Sequence, residues 1–337
     1  MLIVRPISQQ DSTLIQDFAF ESLLGMTNLP RDRDRLNAKI EHSSKCFSKE
    51  ITMPGLEEYF FVIEDLSTNR IGGTSGILAQ HTTSRAFFYR LEKIPTQAKH
   101  ISAPKELSII TAFSTTSNAS EVCSLFLHPS FRHSGLGRLL SLSRFLFVAA
   151  FRSRFEDKIH AELRGYIDQR QVSPFWEAVG RYFCNLSFVE LMTQIDQDRT
   201  FISEILPKFP IYVSLLPKDA QEVLGKTHES TKPALKMLEE EGFTFSNIID
   251  IFDAGPLYIA KTNEIRSIRN SLLVQVDFTD DLLNDAEEYI IGNERMDFRA
   301  CYGRIKFDEE NHGYINKQIA KGLKIKSGDV IRYISPH

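Results

Sequence analysis

The sequence predicts an α/β (α+β) protein, a mixed sheet flanked by helices, and three observations carry that prediction. A buried strand, a glycine turn and a long apolar helix follow one another between Ser120 and Phe155. Short β-compatible apolar runs recur along the chain and alternate with segments of helical spacing. The 337 residues suffice for one large domain plus a smaller one, or for two of similar size.

Each element has a local reason. Leu2–Pro6 is a short strand, and Asp11 is expected to cap a helix that runs to Leu24. Gly25–Pro30 breaks it, and Arg31–Cys46 is a second, charged helix. Tyr59–Asp65 and Ile71–Ala79 form a hairpin about Thr68-Asn69. Phe87–Lys93 and Glu106–Phe113 are further strands, in a region expected to shape a substrate pocket or an interface. Ser120–Leu127 is a strand stopped by Pro129. Leu139, Leu142, Phe145, Leu146 and Ala149 then recur at helical spacing.

Lys158–Leu163 is a strand, Ser173 and Pro174 open a helix, and Leu186–Met192 is expected to be a strand. Arg199–Gly225 is helical with prolines as punctuation, Lys232–Glu241 is a helix closed by Gly242, and Phe243–Phe252 is a strand leading into a turn. Past Lys261, short strands at Leu272–Phe278, Tyr289–Ile291, Arg299–Phe307 and Val330–Ile334 mark a change of texture. The expected division is a domain over 1–265, with its core in 1–192 and a helical extension in 193–265, and a small β-rich module over 266–337.

Composition narrows the function classes. A net charge of −4 without a basic block excludes nucleic acid as the natural partner. Cys46, Cys123, Cys184 and Cys301 are scattered with no C-x-x-C pair, which argues against a disulfide framework and a metal site and suits a reducing cytoplasm. No apolar run approaches 18 residues and no signal core opens the chain, so no membrane role is expected.

The chemistry is expected in the turn Arg132-His133-Ser134-Gly135-Leu136-Gly137-Arg138. Glycines let backbone come close to a ligand, and a helix start offers unpaired N–H groups that favour anions. A ligand carrying a pyrophosphate fits there. This Arg-x-x-Gly-x-Gly turn resembles the coenzyme A signature of the GNAT acyltransferase superfamily, and the opening strand and helix resemble its first elements.

Longer blocks resemble the arginine N-succinyltransferase family within it. They are Ser120–Leu127, Leu140–Phe145, Ala149–Arg152, Ala161–Gly165, Ser173–Trp176, Ala220–Gly225, Glu241–Phe243 and Asp250–Pro256. The resemblance runs in order from Val4 to about Arg269, and the tail looks like the C-terminal part of longer members. It implies a GNAT-like fold and the transfer of succinyl from succinyl-CoA, a cosubstrate with no further cofactor, to the α-amine of L-arginine. It also implies that Leu125 contacts the acyl-CoA, that His228 is the proton donor, and that a homodimer or a heteromer with a related subunit forms. Met26 and Asn28 depart from the family's Gly-Leu-Thr-Ser-Leu-Pro loop, and Phe209 stands where some members carry histidine, which leaves ornithine as a second substrate.

Acyl transfer to an amine needs a held donor, a deprotonated amine, an oxyanion donor and a proton for the thiolate. The amides of Leu125, Phe126 and Leu127 are expected along the pantetheine arm, and those of Ser134 to Arg138 on the pyrophosphate, with Arg132 adding charge. Leu125's own side chain suits a core, so its part is played by main chain. A loop histidine such as His228 is commonly solvated or a cap; beside a helix start it should stay neutral. Asp250 and Asp253, with Glu162, Arg164 and Asp168, are candidates for the charged ends of the substrates, although such residues near turns mostly face solvent. Trp176 and Cys123 read as core. Alternative readings are a CoA-dependent transferase for another amine, or a non-catalytic acyl-CoA sensor.

Overall fold

The computed structural model describes residues 1–21, 30–80, 86–96, 106–115, 118–197, 200–280 and 283–337. The expected break at 25–30, with Met26 and Asn28, falls mostly outside them. The chain opens with β1 (Leu2–Pro6), α1 (Ser12–Glu21) and α2 (Arg33–Ser48). Strands β2 (Glu58–Asp65), β3 (Arg70–Leu78), β4 (Ala86–Pro95), β5 (Glu106–Thr115) and β6 (Ser120–Leu127) follow. Then come α3 (Leu136–Ala150), β7 (Lys158–Glu162), α4 (Pro174–Ala178), α5 (Arg181–Cys184) and α6 (Phe188–Gln197). After β8 (Ile211–Tyr212) lie α7 (Lys218–Val223), α8 (Lys232–Glu240), β9 (Thr244–Asp250), β10 (Pro256–Lys261) and α9 (Arg266–Arg269). The chain ends with β11 (Leu272–Thr279), β12 (Glu287–Asn293), β13 (Ala300–Phe307), β14 (Gly313–Asn316), α10 (Lys317–Leu323) and β15 (Val330–Ile334).

The strands join in the order β12-β15-β11-β14-β13-β1-β2-β3-β6-β7-β10-β9-β4-β5-β8. The central part is buried on both faces because its strands alternate two apolar sets. Tyr59, Phe61 and Ile63 of β2 pack with α3, while Phe60 and Val62 pack with Ile15, Phe18, Leu36 and Ile40 of α1 and α2. Leu139, Leu142, Phe145 and Leu146 of α3 are wholly buried, each worth about 1.5–3 kcal/mol of transfer free energy. At the far end, β12 pairs with both β15 and β13, so residues 272–334 close into a small ring around Val276, Ile291 and Ile315. It meets the rest of the sheet where Val4 pairs with Ala300. Among the described residues no helix is long and apolar enough to cross a membrane.

Several expectations change. Leu186–Met192 is not a strand: α6 starts there, with Ser187 and Glu190 as a reciprocal cap. The Ser187 amide donates to Glu190 Oε2 at 2.8 Å and the Glu190 amide to Ser187 Oγ at 3.3 Å. Phe188, Leu191, Met192 and Ile195 then pack on Trp176 at helical spacing. Asp11 does not cap α1. Its carboxylate turns back to accept from Arg5 Nη1 at 2.8 Å and from the Ser8 amide at 2.7 Å. The hairpin β4–β5 extends the sheet beyond β9 rather than lining the cavity described below. Strands β8, β10 and β14 and helix α10 were not foreseen.

Candidate active site

The site begins with a defect in β6. Gly76 pairs with Cys123 and Thr74 with Phe126, so Ser124 and Leu125 together face one residue of β3. Ser124 takes φ +52°, and its carbonyl accepts from Thr74 Oγ1 at 2.9 Å, which fixes this bulge. On its other edge β6 runs parallel to β7, but the two pair only at Ser120–Ile159 and Glu121–His160. Beyond Glu121 they part, and among the described residues the edge of β6 from Val122 to Leu127 has no partner strand. Parting two parallel strands opens the sheet.

A cavity of about 760 Å³ fills the opening. Leu125, Phe126 and Leu127 line it, as do Arg132, Ser134, Gly135, Leu136 and Gly137. The turn is made for contact by main chain. Ser134 and Gly135 both have positive φ, +49° and +72°. The amides of Leu136 and Arg138 are taken by His133 O and Gly135 O, whereas those of Ser134, Gly135 and Gly137 have no acceptor among the described residues. Three free N–H groups at the start of a 15-residue helix make an anion seat. A Cβ on Gly137 would meet nothing nearer than Leu127 Cδ2 at 3.9 Å, so the protein's own packing does not demand glycine there. On Gly135 it would lie 2.8 Å from Tyr302 Oη. The Arg132 Nε donates to Leu127 O at 2.9 Å. Arg138 lies off the lining, with Nη2 on Glu240 Oε2 at 2.6 Å and Nη1 on Pro336 O at 3.2 Å.

His228 is not itself among the residues that line the cavity. Its amide donates to Arg164 O at 2.8 Å, and Ser230 and Thr231, just after it, line the cavity. The Ser230 amide donates to its Nδ1 at 3.2 Å, so in the neutral ring the proton is assigned to Nε2. Partial burial and the nearby Arg164 guanidinium hold the imidazole below its ordinary range. The direction is the one expected, and its causes are burial first and the Arg164 guanidinium second.

Charged groups crowd the inner wall. Glu121, Arg144, Glu162, Arg164, Asp250 and Asp253 line it. Asp253 accepts from the amides of Gly255 at 2.8 Å and Gly165 at 2.9 Å, which occupies both carboxylate oxygens. Asp250 accepts from the amides of Phe252 and Asp253 on Oδ1. Burial pushes both carboxyls up, and Asp253 adds repulsion at Asp250. Asp168 instead holds a turn through the amides of Arg170 and Val172 and does not line this cavity. Trp176 is buried with Nε1 on Leu186 O, and burial pushes the Cys123 thiol up, so both belong to the core. Arg144 and the α8 residues Ala234, Met237 and Leu238 were not foreseen as lining. A lone charge in the apolar run Leu139–Ala150 was the signal for the first.

A bulged strand that parts from its parallel neighbour above a glycine turn and a buried helix is the framework of a GNAT-like N-acyltransferase. Residues 2–267 match the family "Arginine N-succinyltransferase beta subunit", and residues 273–335 match its C-terminal domain. The chain belongs to the arginine N-succinyltransferase family. It is 35% identical over 339 aligned residues to the arginine N-succinyltransferases of Shigella sonnei (strain Ss046) and Escherichia coli (strain 55989 / EAEC), covering 99% of this chain and 97% of each relative. The solved arginine/ornithine succinyltransferase subunit AI from Pseudomonas aeruginosa superposes with a TM-score of 0.90 at 31% identity, over 100% of this chain and 99% of that one.

Proposed function

We propose that the protein transfers succinyl from succinyl-CoA to the α-amine of L-arginine, giving N2-succinyl-L-arginine and CoA. The observation that carries this reading is the trio of free amides on Ser134, Gly135 and Gly137, placed at one end of the unpartnered edge of β6. They take the diphosphate of the donor, with Arg132 beside them. The pantetheine arm, which carries peptide-like groups, runs along Leu125–Leu127 as a missing strand would. Its thioester arrives at the bulge, where the Leu125 amide meets the developing oxyanion. One such donor is worth ~3 kcal/mol.

The reaction then needs one proton moved from nitrogen to sulfur. The free amine attacks the thioester carbon and leaves an ammonium on the tetrahedral intermediate. His228 donates its Nε2 proton to the departing thiolate and recovers one from that ammonium as the amide forms. Arg164 serves the α-carboxylate of the amino acid, since it adjoins His228 and its Nε and Nη1 are buried without a hydrogen-bond partner. Asp250 and Glu162 serve the guanidinium end. No cofactor beyond the cosubstrate enters the scheme.

The relatives' names, the family matches and the neighbour's title support arginine as acceptor, with ornithine second. The neighbour is called a subunit, which supports a homodimer or a pairing with a related chain. Two separate family matches support a division into 1–265 and 266–337. Initial rates of CoA release with succinyl-CoA and a panel of L-arginine, L-ornithine and polyamines, with product masses, test the reading. It requires arginine to lead with a mass gain of one succinyl group, and turnover confined to polyamines contradicts it.

A further inference from the structure

Helix α3 carries one charge inside its apolar stretch, and among the described residues that charge has no counter-ion. Arg144 is 2% exposed. Its guanidinium donates from Nε to Ser141 O at 3.0 Å, from Nη2 to Ser141 Oγ at 2.8 Å and from Nη1 to Cys123 O at 3.4 Å. All three acceptors are neutral, and among the described residues no carboxylate lies within ion-pairing distance. A guanidinium has five N–H donors, so one on each terminal nitrogen is left over. That pair is the fork a carboxylate takes bidentately. Burying a cation without a partner is costly, and a folded protein keeps such a group where a ligand completes it. Burial pulls this guanidinium down to about 10.

Its place says which anion. Arg144 lines the cavity at its inner wall and bonds Cys123, two residues before Leu125 on the bulged strand. Two strand residues span about 7 Å. A succinyl group runs about 4 Å from its thioester carbon to its carboxylate carbon, three carbon–carbon bonds in zigzag, and a hydrogen bond covers the remainder. We propose that Arg144 receives the terminal carboxylate of the acyl donor and is thereby the residue that selects a dicarboxylic acyl-CoA over a neutral one. This rests on the acyl-transfer reading above and names the donor specificity of that site. Arg164 is the contrasting case: it stands at the end of β7 beside His228 and faces the amino acid instead.

The test compares kcat/KM for succinyl-CoA and acetyl-CoA at saturating L-arginine in the full chain and in Arg144→Gln, Arg144→Lys and Arg164→Gln. The wild type prefers succinyl-CoA. In Arg144→Gln the preference falls at least ~100-fold, and in Arg144→Lys, which keeps the charge but not the fork, about 10-fold. Arg164→Gln keeps the preference and raises KM for L-arginine. A folded Arg144→Gln that retains the preference overturns the proposal and leaves the acyl-transfer reading standing. Should melting show that Arg144→Gln does not fold, Arg144→Lys decides, and an unchanged preference there overturns it equally. A wild type with no preference for succinyl-CoA overturns both.

Discussion

Tyr302 donates its phenol hydroxyl to the carbonyl of Gly135 over 2.9 Å, so a strand of the C-terminal ring holds the glycine turn from behind. Arg138 adds a second tie, through Pro336 O. The module beyond residue 266 carries no catalytic group in this scheme; it braces the turn that bears the three free amides. Tyr302→Phe removes this bond at a cost of about 1 kcal/mol and leaves the carbonyl to the amides of Arg138 and Leu139 alone. The expected outcome is a several-fold rise in KM for acyl-CoA with kcat little changed, read from steady-state kinetics. An unchanged KM would detach the module from the site.

Gly135 and Gly137 separate folding from binding. Gly135→Ala forces a side chain onto φ +72° and against Tyr302 Oη, so the melting temperature falls. Gly137→Ala adds a methyl inside the first turn of α3, where it meets no protein atom closely and gains about 0.5–1 kcal/mol of helix preference. That variant is expected to be as stable as wild type or more so, yet to bind acyl-CoA at least ~10-fold more weakly. Calorimetric melting and CoA titration read the two effects, and undiminished CoA affinity in Gly137→Ala would remove the turn from the binding site.

His228 predicts a pH profile. The fold disfavours its cation, so its pKa lies below the ordinary value of about 6.5. The unfolded chain then takes up the proton first, and the stability contributed by neutral His228 is lost as pH falls below about 6.5. Activity follows the same sign: the acid limb of kcat/KM lies below pH ~6.5 and moves upward in Arg164→Gln, which removes a neighbouring cation. His228→Ala keeps acyl-CoA binding and loses at least ~100-fold in turnover. Near-normal turnover in that variant would take His228 out of the mechanism.

Asp250 predicts a trade of stability against affinity. Its carboxyl is pushed up by burial and by Asp253, so charging it in the free protein is unfavourable above the ordinary carboxylate range. Asp250→Asn can keep the bonds from the amides of Phe252 and Asp253 on the same oxygen. The melting temperature at pH 8 should rise, while KM for L-arginine increases about 10-fold as the guanidinium loses an anion. A fall in melting temperature with KM for L-arginine unchanged would make Asp250 structural only.

The legible parts of this protein were those with local causes. The run from Ser120 to Ala150 declares strand, turn and helix through apolar spacing and two glycines; Leu125–Leu127, Arg132 and Ser134–Gly137 line the cavity, whereas Arg138 does not. Leu186–Met192 misled because seven mostly apolar residues fit either period, and the Ser187–Glu190 cap that decides for a helix was overlooked. The cavity itself was not readable. It exists because β6 and β7 pair over two residues and then separate, a relation between segments some 40 residues apart. Asp250 and Asp253 looked alike in sequence, yet only the fold shows that both oxygens of Asp253 are spent on the amides of Gly165 and Gly255.

The most direct test is a crystal structure with CoA bound. The account predicts the diphosphate on the amides of Ser134, Gly135 and Gly137, with the pantetheine lying between β6 and β7 and its sulfur near Leu125. A diphosphate held elsewhere, with the β6 edge still open, would contradict it.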